Sequence, residues 1–227
     1  MKIHRKLAKL TRGETYRRGW RRAQRSIFRL PFGPVLAGVD QQRLAEIQQR
    51  YAGQKYADVD HWLRVNRERV QDLKLHRISP QRVLDLGCGG GFFLFILKRF
   101  NHSVLGLDVE ESPLFRELLE VFVVPRTVFR IEPFKPLPKF QQQFDWITAF
   151  SIGFDRHPET RARWGIKEWD FLLRDLQSHL APRGKIYLTV NPMPNGEYLT
   201  AEVRDLFTSR GADIERERIF FNDGVRG

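Results

Sequence analysis

The chain contains a short apolar run that ends in a cluster of glycines, and this feature limits the folds that the chain can adopt. Residues 82–86 are typical of a buried strand, four of the next five residues are glycine, and an apolar stretch with the length of a helix follows at 92–100. Glycines at such a turn permit positive φ angles and let a ligand approach the backbone closely. The pattern predicts a strand–loop–helix unit whose loop holds a ligand.

Strands and helices alternate from this point onward. This order predicts an α/β protein with a doubly wound, mostly parallel sheet that helices cover on both faces. The predicted strands are 82–86, 103–108, 127–131, 144–150, 185–190 and 219–221, and the predicted helices are 92–100, 112–121, 167–180 and 200–209.

Two further helices precede the alternating region and form an N-terminal helical extension. Asp40 is the expected N-cap of the first, which ends near Tyr51, and the second spans about 60–75. Residues 30–39 contain two prolines and two glycines, which indicates a linker. We therefore expect a basic segment and linker at 1–39, and one domain at 40–227 that includes the helices of 40–76.

The glycine cluster does not fit the dinucleotide-binding pattern G-x-G-x-x-G. Counted from Gly87, the third glycine falls at Phe92, and counted from Gly89 it falls at Leu94. Asp85 is also unfavourable beside a pyrophosphate, because both carry negative charge. A ligand with a cationic amine has the opposite preference. These points disfavour a nicotinamide oxidoreductase.

The run Val83-Leu84-Asp85-Leu86-Gly87-Cys88-Gly89-Gly90-Gly91 resembles motif I of the class I methyltransferases that depend on S-adenosylmethionine (SAM). Three later segments are similar to further motifs of that family, in the same order: 104–108, 144–150 and 180–188. In the last of these, Arg183 stands where the family has a glycine. The resemblance covers about residues 80–191 and implies the Rossmann-like methyltransferase sandwich. That fold commonly ends in an antiparallel hairpin, for which residues 212–227 leave room only in a short or incomplete form.

The resemblance also implies roles for single residues. The backbone of Gly87, Cys88, Gly89 and Gly91 would face the methionine part of SAM, with Asp85 beneath the loop. Asp108 would accept both ribose hydroxyls, which suits a carboxylate. The remaining cofactor residues would be Val109 against the adenine, Glu132 near the adenine amine and Phe150 near the transferred methyl group. For Glu132 a solvated loop acid, and for Phe150 a core aromatic, are equally good interpretations.

The family transfers a methyl group from SAM to an acceptor and releases S-adenosylhomocysteine. His157 follows the fourth predicted strand and is the candidate general base, since an imidazole has a suitable pKa. A surface histidine without a catalytic role is the competing interpretation. The acceptor remains open between a small molecule, lipid, RNA and protein, with a small molecule slightly favoured.

Charge is concentrated at the N-terminus. The chain has 227 residues and a net charge of +12, yet residues 1–30 hold eleven Lys and Arg against Glu14 alone. This basic amphipathic segment has an anionic membrane surface or RNA as candidate partners, and a charged helix packed on the body is the alternative. A degenerate SAM-binding protein that uses this segment is therefore a second functional hypothesis.

Composition excludes other classes. With 18 Phe, 5 Trp and 5 Tyr the chain is too aromatic for general disorder. One cysteine and six histidines without ligand spacing predict no metal site. No apolar run is long enough to cross a bilayer, so we expect a cytoplasmic protein, attached to a membrane at most peripherally.

Overall fold

The strand runs assemble into one seven-stranded sheet. The computed structural model describes residues 33–157, 159–160 and 162–226, so the basic segment of residues 1–30 lies outside the described residues. The strand order is β3-β2-β1-β4-β5-β7-β6. The strands are β1 (Arg82–Leu86), β2 (Ser103–Asp108), β3 (Arg126–Val128), β4 (Phe144–Ile152), β5 (Leu180–Val190), β6 (Asp213–Glu215) and β7 (Arg218–Phe221).

The first five strands pair in parallel, and β7 is antiparallel both to β5 and to β6. The predicted mostly parallel sheet is therefore confirmed. The final hairpin is short but complete, because strands of only three and four residues suffice to extend the sheet past β5.

Helices cover both faces of the sheet. They are α1 (Gly33–Leu36), α2 (Gln41–Arg50), α3 (Val59–Asp72), α4 (Phe92–Lys98), α5 (Pro113–Val121), α6 (Ile166–His179) and α7 (Ala201–Ser209), with short 3-10 turns at Lys55–Ala57 and Leu75–Arg77.

Each face of the sheet has its own core. Val83 of β1 packs in the core that also contains the buried residues of α2 to α5. Leu84 and Leu86 point to the opposite face and pack in the core that contains the buried residues of α6 and α7. Because side chains alternate along a strand, Asp85 lies on the same face as Val83, beneath the N-terminal helices. This placement decides which elements surround the glycine loop.

Side-chain caps fix where several helices begin. The Asp40 carboxylate accepts from the Arg43 N–H (2.9 Å), which confirms the predicted N-cap of α2. Asp58 caps α3 in the same way through the His61 N–H (3.0 Å), so this helix begins slightly before the predicted position. A cap satisfies a backbone donor that the first helical turn leaves free.

Some predicted boundaries differ from the observed ones. The region predicted as a linker contains the short helix α1, and both Val35 and Val39 are buried in the core, because the chain here runs along the packed face and not through solvent. Strand β3 ends at Val128, three residues before the prediction. β3 pairs only with β2, which ends at Asp108, opposite Val128, so residues 129–131 have no strand to pair with.

Helix α2 is held against α5 by polar contacts. Arg50 Nη1 lies 2.5 Å from Glu117 Oε2, the Tyr51 hydroxyl donates to Glu117 Oε1 (2.7 Å), and Arg43 pairs with Glu120. Together with the shared apolar core, these contacts keep the N-terminal helices close to the glycine loop. In the part of the chain that the structure describes, no helix is both long and apolar enough to cross a membrane.

Candidate functional site

A cavity of about 610 Å³ opens at the carboxyl ends of the central strands. It lies where the strand order reverses between β1 and β4, which is the ligand-binding position of open α/β sheets. The loops after β1, β2, β3, β4 and β5 contribute to its wall, and so do α3, α5 and the turn before α3.

The glycine loop has the backbone conformation that its sequence predicts. Gly87, Gly89 and Gly91 have φ of 73°, 54° and 75°, a region that side chains disfavour. Gly87, Cys88 and Gly89 line the cavity, as does Gly90, whereas Gly91 does not. Gly91 instead caps α4, and a Cβ there would lie 2.6 Å from Leu119 Cδ2. Its role in the structure is close packing.

The side chain of Cys88 packs inward. A Cβ placed on Gly106 of β2 would lie 2.5 Å from Cys88 Sγ, so the small thiol and the glycine fit each other. Burial raises the pKa of this thiol, and the carboxylates of Asp85 and Asp108 raise it further. The thiol therefore stays protonated, and only the backbone of Cys88 is suited to contact a ligand.

Asp108 ends β2 with both carboxylate oxygens held by backbone donors. The Gly89 N–H donates to Oδ2 (2.6 Å) and the Val109 N–H donates to Oδ1 (2.8 Å). Burial raises the pKa of Asp108, and these two hydrogen bonds oppose that shift. Each carboxylate oxygen can accept a second hydrogen bond. Asp108 thus presents two fixed acceptor positions beside the glycine loop.

Asp85 lies at the floor of the cavity and is buried. Desolvation raises its pKa to about 7, while the Thr148 hydroxyl, which donates to Oδ1 (2.6 Å), and the charge of Arg69 lower it. Burial therefore favours the protonated carboxyl group relative to an exposed aspartate. A cation entering the cavity would favour the ionised form.

Val109 and Glu132 line the cavity beside Phe129, and Lys135 Nζ lies 4.9 Å from the centroid of the Phe129 ring. Glu132 Oε2 accepts from Lys135 Nζ (2.7 Å), and this contact lowers the Glu132 pKa. Glu132 is therefore already engaged by a cation of its own loop.

Phe150 also lines the cavity, but one face of its ring is covered. The Arg69 guanidinium lies 4.3 Å from the ring centroid, and Phe93 packs edge-on against the same ring at 4.7 Å. Sequence reasoning missed Arg69 and its neighbour Asn66, whose Oδ1 accepts from Arg69 Nη1 (2.9 Å). The available signal was the polar Asn66, which falls between Leu63 and Val70 on the buried stripe of α3.

The turn before α3 adds an aromatic cluster that was also not predicted. Tyr56 packs against Trp62 (4.6 Å between ring centroids) and against Phe115 of α5 (5.0 Å). Lys55 lies over the rings of Tyr56 and Trp62. All four residues line the cavity, so the N-terminal extension forms part of the site.

His157 does not line the cavity. Its Nε2 lies 3.7 Å from Glu168 Oε1 of α6, while its neighbours Phe154 and Arg156 line the cavity. Buried Asp155 pairs with Arg163, which also donates to the Asn191 carbonyl (2.8 Å) and so ties the loops after β4 and β5 together. Within the described residues, no group of three or more His, Cys, Asp or Glu is arranged to hold a metal ion.

Comparison with known proteins finds similarity in structure only. No protein-family model matches the sequence, and no curated protein sequence does. DesVI from Streptomyces venezuelae matches with a TM-score of 0.51 and 13% identity, over 83% of this chain and 99% of that chain. The likeness confirms the predicted Rossmann-like methyltransferase fold.

More distant matches carry methyltransferase names. The ribosomal protein L11 methylase from Lactobacillus delbrueckii subsp. bulgaricus has a TM-score of 0.45 and 13% identity, over 77% of this chain and 81% of that chain. The CcbJ methyltransferase from Streptomyces caelestis has a TM-score of 0.44 and 21% identity, over 60% of this chain and 52% of that chain. This chain thus matches nearly all of DesVI but about half of CcbJ.

Proposed function

We propose that this chain, with its Rossmann-like methyltransferase fold, is an enzyme that binds SAM and transfers its methyl group to an acceptor. The observation that carries the proposal is the geometry of Asp108, whose two oxygens are each fixed by one backbone N–H and each keep one acceptor position. A vicinal diol, such as that of a ribose, matches two adjacent acceptors.

The surroundings of Asp108 fit the other parts of the same ligand. The backbone of Gly87, Cys88 and Gly89 would hold the methionine end, where Asp85 would favour the cationic amine. Val109 would pack on the adenine beside the Phe129 ring. Glu132 lies near that position, but its pairing with Lys135 leaves it a minor contributor.

Bound there, SAM would supply an activated methyl group for in-line displacement: the C–S bond breaks, the bond to the acceptor nucleophile forms, and S-adenosylhomocysteine is left. The residues of this chain would mainly align the acceptor and exclude water. The acceptor would approach from the β4 and β5 side, where Phe150, Phe154 and Asn191 line the cavity. A proton on the nucleophile would pass to a base or to solvent. His157 remains a candidate for that base only if the loop after β4 turns it inward.

The test is a calorimetric titration of the purified protein with S-adenosylhomocysteine, with NAD as the negative control. Asp108→Ala is expected to weaken product binding at least tenfold, about 1.4 kcal/mol. Glu120→Ala is the control: it removes an exposed carboxylate of α5 that pairs with Arg43, and neither of these two residues lines the cavity. Absence of product binding in the unmodified protein would refute the proposal.

The basic segment of residues 1–30 supports the second hypothesis, a SAM-binding protein without turnover that attaches to an anionic membrane or to RNA. Product binding together with no methyl transfer to any acceptor class would favour it over the enzyme. Salt-sensitive binding of anionic vesicles or RNA that is lost when residues 1–30 are deleted would identify its partner.

A further inference from the structure

The acids among the described residues that line the cavity all lie on one side of it. Its three acids, Asp85, Asp108 and Glu132, lie at or just after the ends of β1, β2 and β3. On the side of β4 and β5, together with the covering helix α3, no lining residue is acidic among those described, whereas Arg69 and Arg156 carry positive charge. The other lining cations are Arg130, which lies beside Glu132 after β3, and Lys55 in the turn before α3. The side left over for an acceptor is therefore cationic.

Arg69 lies on that side, and its guanidinium forms no ion pair within 4.0 Å among the described residues. Its hydrogen bond goes to the amide oxygen of Asn66, and its Cζ lies 4.3 Å from the centroid of the Phe150 ring. It also borders a second cavity of about 230 Å³ that includes Glu68, Asp72 and Glu217, yet in the described part of the chain no carboxylate lies within 4.0 Å of it. Burial lowers its pKa, although the charge of Asp85 partly opposes that shift.

A partly desolvated cation without a counter-ion is costly unless a ligand supplies the charge. The hydrogen bond to Asn66 and the contact with Phe150 hold the guanidinium in place, and the hydrogen bond to Asn66 uses only one of its N–H donors. Such a planar fork binds carboxylate or phosphate with two parallel hydrogen bonds. The partly exposed rings of Trp62 and Phe154 also line the cavity and offer apolar surfaces to a flat molecule.

We propose that the methyl acceptor is a small, largely apolar molecule that carries an oxyanion group, carboxylate or phosphate, and that Arg69 binds this group. The inference rests on the proposed function, because it assigns the acid-lined side of the cavity to SAM. Asn66 and Phe150 are then positioning residues that act through Arg69.

The experiment titrates the protein, saturated with S-adenosylhomocysteine, with three probes: benzoate, phenyl phosphate and the neutral benzamide. Arg69→Met removes the charge and keeps an apolar chain over Phe150, and Arg69→Lys keeps the charge without the fork. Arg99→Met is the matched control, because Arg99 also lies over a phenylalanine ring (Phe95, 5.0 Å) but does not line the cavity. Melting temperature and product affinity are measured for every variant.

We expect at least one of the two anions to bind, and benzamide to bind at least tenfold more weakly. Arg69→Met should reduce anion affinity at least tenfold, Arg69→Lys should reduce it less, and Arg99→Met should leave it unchanged. Product affinity should stay within twofold in all three variants. If Arg69→Met does not fold, the anion affinities of Arg69→Lys and Arg99→Met are compared instead. A lower anion affinity in Arg69→Lys than in Arg99→Met supports the proposal, and equal affinities overturn it.

Three results would overturn the proposal: benzamide binding as tightly as the anions, anion affinity unaffected by Arg69→Met, or no anion binding at all. A fourth result would also overturn it, because it would assign Arg69 to the cofactor and not to the acceptor. If Arg69→Met weakens S-adenosylhomocysteine but not 5′-methylthioadenosine, which lacks the carboxylate, then Arg69 holds the cofactor. Failure of the unmodified protein to bind the product would refute the proposed function instead, and anion titration of the free protein would still report on Arg69.

Discussion

The two sides of the cavity are built in different ways. On the side of β1 to β3, the backbone determines most of the geometry. Glycines with positive φ shape the loop, and backbone N–H groups fix both oxygens of Asp108. On the side of β4 and α3, side chains hold one another, with Arg69 fixed by Asn66 and Phe150.

This difference has a consequence for specificity. A site fixed by backbone geometry tolerates few changes, which suits a ligand that stays the same. A site assembled from side chains on separate elements can change one residue at a time, which suits a variable acceptor. Substitutions on the β1 to β3 side should therefore change mainly the stability of the protein. Substitutions on the β4 and α3 side should change mainly which ligands it binds.

The largest expected effect is on the backbone-built side. Gly91→Ala should lower the free energy of unfolding by about 2–3 kcal/mol, because a Cβ there adds a positive-φ cost of about 1 kcal/mol and crowds Leu119. Gly87→Ala is the matched control: it has the same φ cost, but nothing lies within 4 Å of its Cβ. Chemical denaturation measures both variants, and equal losses would show that packing at Gly91 contributes little.

The next effect depends on pH and concerns Asp85, where the two sides meet. Its pKa is raised to about 7 in the folded protein, so the stability that the protonated form provides is lost as pH rises from about 4 to about 7. Asp85→Asn keeps an acceptor for Thr148 and removes this loss. The variant should gain about 1–3 kcal/mol relative to the unmodified protein between pH 5 and pH 8.

Thermal melts at both pH values test this prediction. A stability difference between the two proteins that does not change with pH would mean that Asp85 is ionised in the folded state throughout the range. In that case the carboxylate is better compensated by Arg69 than its burial indicates.

A smaller effect is expected on the side built from side chains. Phe150→Leu removes the ring beneath Arg69, and a cation–π contact of this kind is worth about 1 kcal/mol. Affinity for the anionic probe should fall about fivefold, while product affinity stays within twofold. Phe100→Leu is the control, since Phe100 is half-buried in the same core but does not line the cavity. Equal changes in both variants would indicate a general loss of packing.

The smallest effect is expected at Glu132. Because Lys135 already engages this carboxylate and solvent reaches it, Glu132→Gln should change the affinity for S-adenosylhomocysteine less than twofold. Calorimetry measures the affinity of this variant for S-adenosylhomocysteine, and Asp108→Ala, measured in the same way, is the comparison. A tenfold loss in Glu132→Gln would place this residue among the main ligand contacts.

Much of the backbone-built side could be predicted because its determinants are local. The glycine loop, the strand end at Asp108 and the cap at Asp40 each depend on residues within a few positions, and the structure has the predicted elements at all three. Arg183 is a further local case: it has φ of 62° at the position where the methyltransferase motif has a glycine, so the backbone conformation persists without the residue that favours it.

Other features could not be predicted because they depend on distant residues. Strand β3 ends early since β2 offers it no further partner, and the predicted linker is partly buried since α1 lies along the core. His157 follows β4 in sequence as a substrate-facing residue would, yet the loop turns it towards Glu168. Chain order places a residue near a strand end but does not say in which direction its side chain points.

The sequence by itself determined the alternation of strands and helices, the glycine loop and the acids at the ends of β1 and β2, because periodicity and turn chemistry act over short distances. Only the tertiary structure decided that α3 covers the loop and brings Arg69 over Phe150, residues 81 positions apart. Packing of an amphipathic helix on a sheet face sets that contact, and no local pattern encodes it. The cationic side of the cavity therefore became visible only in the folded chain.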